Sequence, residues 1–300
     1  MEERIGFVIL HYNAIKETVD CVNSIINNID TDDYFIIIVD NKSPNYTGET
    51  LKEKYGKSEK IKVILNKENL GFACGNNVGY QYAVQELKCS FVCILNNDTL
   101  LVQRDFFEII KKEYAYSGFG ILGPKIILKD GKINFLYYRF PSVEYFEREL
   151  KIHKRDYWRM KYYLNYPIVA VKLLQKAIRE LFGKTQESRH RKYQLFEQLD
   201  RRWEDVILHG CCIIFSPRYI SQYQEAFNPK TFLYKEEELL YLRCKKADLK
   251  IVYNPKLIIK HLEDAATNSI NRKKRDKLLF WLNNQIRSLE ILIDELKGEK

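Results

Sequence analysis

The chain has 300 residues, of which 46% are hydrophobic and 30% charged, with a formal net charge of +9. That length and apolar content suffice for a sizeable core, and one main α/β domain with additions is expected. No eighteen apolar residues run together, and the amino terminus carries acids before a run too short for a signal sequence, so neither a membrane span nor a secretion signal is expected. Seven cysteines without a CxxC pair lie mostly in apolar runs and point to a reducing cytoplasm. The charge is localised. Residues 151–202 hold 14 Lys and Arg against 5 Asp and Glu, a surplus of 9 that equals the whole-chain value.

In chain order, an apolar run at 5–10 predicts a strand. A helix over 15–29 follows, with Val19, Val22, Ile25, Ile26 and Ile29 on one face. Strands at 35–39 and 61–65 flank a short helix at 49–55. A glycine- and asparagine-rich stretch, 66–79, leads into a helix reaching about 87, and the strand at 91–95 completes a βαβαβ half with a mostly parallel sheet. A helix over 103–116 precedes strands at 121–128 and 133–137, joined by Asp130-Gly131, a hairpin signal. Residues 138–203 are basic and aromatic with helical periodicity and read as an insertion. Strand character resumes over 206–215, then a helix at 235–247, short strands at 251–253 and 257–259, a polar linker, and a final helix to about 296. The expected parts are 1–136, a first half of the main domain; 137–203, the insertion; 204–265, its second half; and 266–300, linker and carboxy-terminal helix.

Three strands end in polar clusters, His11-Tyr12-Asn13, Asp40-Asn41-Lys42-Ser43 and Asn96-Asn97-Asp98. In open α/β sheets such ends form the ligand crevice. Asp98 and its neighbours offer hard oxygen donors suited to Mg²⁺ or Mn²⁺ on a diphosphate, and the same residues also suit a plain turn. Gly71, Gly75 and Gly79 lack dinucleotide or P-loop spacing and are expected to let backbone approach a ligand or a neighbouring strand. Glu236, Glu237 and Glu238 open a helix, where the macrodipole favours acids. By helical projection Glu236 faces inward, Glu237 lies at the edge and Glu238 points away, so two acids are placed as a general base requires. His261, beside Glu263 and Asp264 at a strand end, is either a metal ligand or a structural histidine.

The order of these pieces resembles the family 2 glycosyltransferases, inverting enzymes of the GT-A fold, and most closely a bacterial rhamnosyl- and capsular-polysaccharide-type branch. The matching segments are VILHYN (8–13), IIVDNKS (37–43), NKENLGFACGNN (66–77), ILNNDT (94–99), HGCCIIFS (209–216), FLYKEEELLYLR (232–243) and IIKHLEDAAT (258–267). The resemblance implies a donor site in which Asp40 binds the nucleobase with Tyr12, Asn13 and Asn41 around it. Asn69, Gly71 and Asn76 lie near ribose and sugar, and Asn97 and Asp98 at the diphosphate. It implies a divalent cation on Asp98, the last acid of a DxD motif, with His261 completing the site. Gly210 and Cys211 fall on the acceptor side, and Glu237, with Glu236 before it, stands at the family's Glu-Asp pair as general base. Asn96 replaces the first DxD acid, Glu237 replaces Asp, and residues 138–203 have no counterpart in the common core.

The expectation is a cytoplasmic transferase that moves a sugar from a nucleotide-diphosphate donor to a glycan or lipid-linked acceptor with inversion, in cell-surface polysaccharide synthesis. A sugar nucleotidyltransferase would share the α/β half but needs a basic Gly-rich loop where this chain has His11-Tyr12-Asn13. A nucleic-acid-binding module would use the basic segment but leaves the acidic strand ends without a role. For 151–202, and especially a basic amphipathic helix over 167–182 flanked by tyrosines and Trp158, the expected partners are an anionic membrane surface or a second subunit, with nucleic acid least favoured.

Overall fold

The computed structural model describes residues 3–29, 31–134, 140–162, 199–262 and 274–298, which divide into two compact units. The first comprises residues up to 140 together with 195–271. It is built on a nine-stranded sheet of order β3-β2-β1-β4-β8-β6-β9-β5, with β7 paired to β9. Strands β1 (Ile5–His11), β2 (Tyr34–Asp40), β3 (Ile61–Leu65) and β4 (Phe91–Asn96) are mutually parallel. Beyond β4 the sheet is mixed: β8 (Cys212–Phe215) runs antiparallel to both β4 and β6 (Ile121–Leu128), and β9 (Ile251–His261) is parallel to β6 but antiparallel to β5 (Thr99–Leu101) and β7 (Trp203–Glu204). Side chains alternate between two buried layers. Phe7, Ile9, Ile36, Ile38 and Phe91 join the layer of α1 (Ile15–Asn28) and α4 (Phe106–Ser117). Val8, Ile37, Val39, Val92 and Ile94 join that of α3 (Gly71–Gln85) and α7 (Glu236–Lys246). Short helices α2 (Thr47–Tyr55) and α6 (Pro217–Ile220) complete this unit.

The expected α/β sheet is present, with three local departures. The two short strands at 251–253 and 257–259 are one strand, β9, whose register against β6 shifts between Pro124 and Lys125, where a bulge absorbs Pro255 and its neighbours. The strand expected over 206–215 is confined to 212–215, because His209, Gly210 and Cys211 direct their polar groups into a turn rather than a ladder. Ile133 makes an isolated antiparallel bridge to Ile127, while most of the strand expected to follow it lies outside the described residues.

The second unit, 141–194 with 272–300, shows two antiparallel helices among its described residues, α5 (Val143–Lys161) and α8 (Lys274–Lys297). Ser142 caps α5 by accepting the Tyr145 N–H. Phe146 is buried, and the His153 and Trp281 rings meet edge-on at 5.1 Å. Lys154–Glu290 (2.6 Å) and Lys297–Glu147 (2.8 Å) pair across the helices. The amphipathic helix expected over 167–182 lies outside the described residues.

Candidate active site

Parallel β1, β2 and β4 bring their carboxyl ends to one edge of the sheet, and the polar clusters that follow them meet there. The Asp40 carboxylate accepts both the Ser43 N–H (3.2 and 3.3 Å) and the Ser43 hydroxyl (2.5 Å). Buried His11 spans Thr18 (Nδ1, 2.7 Å) and Thr47 (Nε2, 2.9 Å), 3.9 Å from Asp40, and burial holds its imidazole down at about 4, neutral at physiological pH. Asn41 is a clamp. Its amide donates to Asn69 Oδ1 (3.0 Å) and the Gly71 carbonyl (2.9 Å), and its Oδ1 accepts from Asn66 (3.1 Å) and the Leu70 N–H (3.0 Å). Tyr12 is partly buried, and Asn13, at φ +63°, donates its backbone N–H to the Ser43 hydroxyl (2.9 Å) and keeps a buried Oδ1 with no hydrogen-bond partner among the described residues.

The α3 entrance is tied to the loop before α7. Gly71 has φ +77°, and a Cβ there would sit 2.3 Å from the Phe232 carbonyl, which accepts the Phe72 N–H at 2.7 Å. A residue with a side chain is therefore excluded twice, by backbone and by space. Asn77, not singled out by the sequence, holds the same loop through a paired contact with the Phe227 backbone (2.9 and 3.0 Å). Asn76 donates to the Phe72 carbonyl, and its buried Oδ1 has no partner among the described residues.

Asp98 follows β4, and His261 ends β9, opposite Thr99 in the antiparallel β5–β9 register. This pairing sets His261 Nε2 3.1 Å from Asp98 Oδ1, while the buried Nδ1 of His261 has no hydrogen-bond partner among the described residues. Asn97 is turned inward to Thr18 Oγ1 (3.1 Å) and the Ala14 carbonyl, where it braces the turn. Among the described residues no group of three or more His, Cys, Asp and Glu gathers to hold a metal ion. A carboxylate beside an imidazole with an unused buried lone pair nevertheless fits a Mg²⁺- or Mn²⁺-type ion that draws its remaining ligands from phosphate and water.

The turn 209–211 connects this pair to the acids of α7. Gly210 N–H donates to Glu237 Oε1 (2.5 Å), and the Cys211 carbonyl accepts the Asn96 N–H (2.9 Å) and the Thr99 hydroxyl (3.4 Å). Glu237 is partly buried and borders a small pocket with Val206, Leu208, Leu240 and Tyr241, and burial is the largest influence on its carboxyl. It is raised to about 7, with Glu238 adding to the effect and the Gly210 N–H opposing it. Glu236, 6% exposed, is raised by burial to about 8, and its Oε1 has no partner among the described residues. Glu238 instead pairs with Lys235 at 3.2 Å. Tyr234 and Lys235 both have positive φ (75° and 67°), a left-handed pair that turns the chain sharply into α7.

A mixed sheet with helices on both faces, a crevice at the carboxyl ends of its parallel strands, an acid–histidine pair after β4 and a buried acid at a facing helix start together define the GT-A architecture. The chain belongs to glycosyl transferase family 2, whose family model matches residues 7–223. Among solved structures, S. aureus TarS 1-349 matches 94% of this chain and 71% of its own at 13% identity and a TM-score of 0.51, a likeness of fold. TarS 1-349 in complex with UDP-GlcNAc and with UDP matches at 19% identity and a TM-score of 0.37 over 47% of this chain, spanning 37% and 38% of those chains. No curated protein sequence matches.

Proposed function

We propose that the protein is an inverting glycosyltransferase that uses a nucleotide-diphosphate sugar. The observation that carries the reading is the placing of Glu237, whose partly buried carboxylate accepts the N–H of Gly210 in the turn that also hydrogen-bonds the Asp98 loop, with burial raising its carboxyl to about 7. A base with proton affinity near the working pH is half ionised there and still strong enough to take a proton from a hydroxyl. Glu237 removes the proton of the acceptor hydroxyl as the acceptor oxygen attacks the anomeric carbon from the face opposite the leaving group, and the bond from that carbon to the diphosphate oxygen breaks, which inverts the configuration. Asp40, Asn41, Tyr12 and Asn13 form the nucleoside end, and Asn69, Gly71 and Asn76 the sugar end. Gly210 and Cys211 form the acceptor side. Glu236, protonated at neutral pH, keeps a second negative charge away from the base. Asp98 and His261 would hold a divalent cation, which when bound supplies charge neutralisation to the departing diphosphate. Release of nucleoside diphosphate from a panel of nucleotide sugars with Mn²⁺ present tests this. No release above the hydrolytic background with any donor, across glycan and lipid-linked acceptors, would sink it.

The acceptor in this reading is a glycan or lipid-linked glycan of a cell-surface polysaccharide, reached from the cytoplasmic face of a membrane. What supports a membrane contact is the outer face of α5. Arg148, Lys151, Arg155, Trp158, Arg159 and Tyr162 fall within an arc of roughly 100° opposite buried Phe146, at 3.6 residues per turn. Trp158 and Tyr162 are stacked (5.2 Å, 10°) and more than half exposed, with Lys161 over both rings. Cations beside exposed amphipathic rings suit an anionic lipid surface. No helix among the described residues is long and apolar enough to cross a membrane.

A further inference from the structure

His209 is the residue of this site that neither the pattern of acids nor the family resemblance accounts for. Its Nδ1 accepts the Cys211 N–H at 3.1 Å. That bond decides where the ring proton sits. A proton on Nδ1 would face a second N–H at hydrogen-bonding distance, so the single proton of the neutral ring is on Nε2. The ring lies edge-to-face with His261 at 5.9 Å, and His261 in turn contacts Asp98. His209 is only partly buried, and unlike His261 Nδ1 its Nε2 is not an enclosed orphan. A protonated imidazole nitrogen is a donor and cannot coordinate a metal ion.

We infer that His209 is a fixed hydrogen-bond donor, whose Nε2–H takes an anionic oxygen of the donor's diphosphate beside the Asp98–His261 pair. The inference rests on the glycosyltransferase reading and deepens it by assigning a diphosphate-recognising residue outside the acid and histidine pair. Its placement has a chemical logic. The turn that orients His209 also offers Gly210 N–H to the base and the Cys211 carbonyl to the Asn96–Thr99 turn, so a short segment fixes donor, base and Asp98 loop in one frame. A neutral donor also recognises phosphate oxygens without binding the departing product as a full positive charge would.

The test compares His209→Asn with the wild type. Asn Oδ1 stands where Nδ1 stands and can still accept the Cys211 N–H, but the donor at the Nε2 position is gone. Binding of UDP, dTDP, GDP and ADP, each against its monophosphate, is measured by calorimetry with Mn²⁺ present. For the diphosphate bound best, His209→Asn should weaken affinity by roughly tenfold or more, the size of one hydrogen bond to a charged group. The monophosphate should bind both proteins alike, and the thermal midpoint should be unchanged. Equal diphosphate affinity in the two proteins overturns the assignment. So does a parallel loss of mono- and diphosphate binding, which would make His209 a brace of the turn. A wild type that binds no nucleoside diphosphate overturns it together with the transferase reading, a result distinct from the other two.

Discussion

Replacing Glu236 by Gln should stabilise the protein, and by an amount that depends on pH. The carboxyl is 6% exposed and is raised from its ordinary 4.5 to about 8, with burial the largest cause. A carboxyl whose proton affinity is higher in the folded than in the unfolded state contributes its full stability below about 4.5. That contribution is lost as pH rises through the window up to about 8, because the unfolded chain ionises freely while the folded chain cannot. At about 1.4 kcal/mol per power of ten, the cost to the wild type is below about 1 kcal/mol at pH 5, about 3 at pH 7 and about 5 at pH 9. An amide of the same shape carries no ionisation cost, and Glu237 titrates in both proteins, so its contribution largely cancels. Urea unfolding followed by far-UV circular dichroism at pH 5, 7 and 9 should show the advantage of Glu236→Gln growing by about 4 kcal/mol across that range, on top of a pH-independent offset for the amide. A difference that is flat with pH, or that shrinks as pH rises, would refute the claim that this carboxyl is held in a desolvated site.

Glu237→Gln should lower turnover by about 10²-fold or more while leaving nucleoside diphosphate affinity unchanged, and the wild-type rate should climb with pH through about 7 in a profile that the variant lacks. Asp98→Ala should remove the extra thermal stabilisation that Mn²⁺ gives to the nucleotide-bound protein, with the circular dichroism spectrum intact; near wild-type turnover of this variant in EDTA would dismiss the cation reading. Vesicles containing anionic lipid should sediment the protein at low salt and release it at high salt, and reversing Arg148, Lys151 and Arg155 to Glu should abolish binding. Protein that stays in the supernatant at every salt concentration argues against that face as a lipid contact, and dissociation of a dimer by the same substitutions would assign it to a second subunit.

What the sequence made legible was local. The runs at 5–10, 35–39 and 91–95 read as buried strands because both faces of a parallel strand are apolar, and their polar ends marked the crevice. The inward bias of Glu236 followed from helical spacing and agrees with its burial. Pairings across the chain were not legible. Asp98 and His261 are 163 residues apart and meet through the antiparallel register of β5 and β9, which no local pattern specifies. The apolar run 206–215 suggested one strand, yet hydrogen bonds to Glu237 and within the His209–Cys211 turn outcompeted the ladder. Tyr234 and Lys235 take left-handed backbone without the glycine or asparagine that would have announced it. Asn41 read as a ligand-side turn residue, and the four hydrogen bonds by which its amide also ties Asn66, Asn69, Leu70 and Gly71 to that turn were not legible.

The four bonds of Asn41 have a thermodynamic consequence. They tie residues 66–71 to the end of β2 by bonds made wholly within the protein, so a nucleotide that enters beside them, as the transferase reading has it, would meet a wall that needs no ligand to hold its shape. Little chain entropy then remains to be lost on association, and the heat-capacity change of binding should reflect only the surface covered by the ligand, without the larger signature of a loop that folds around it.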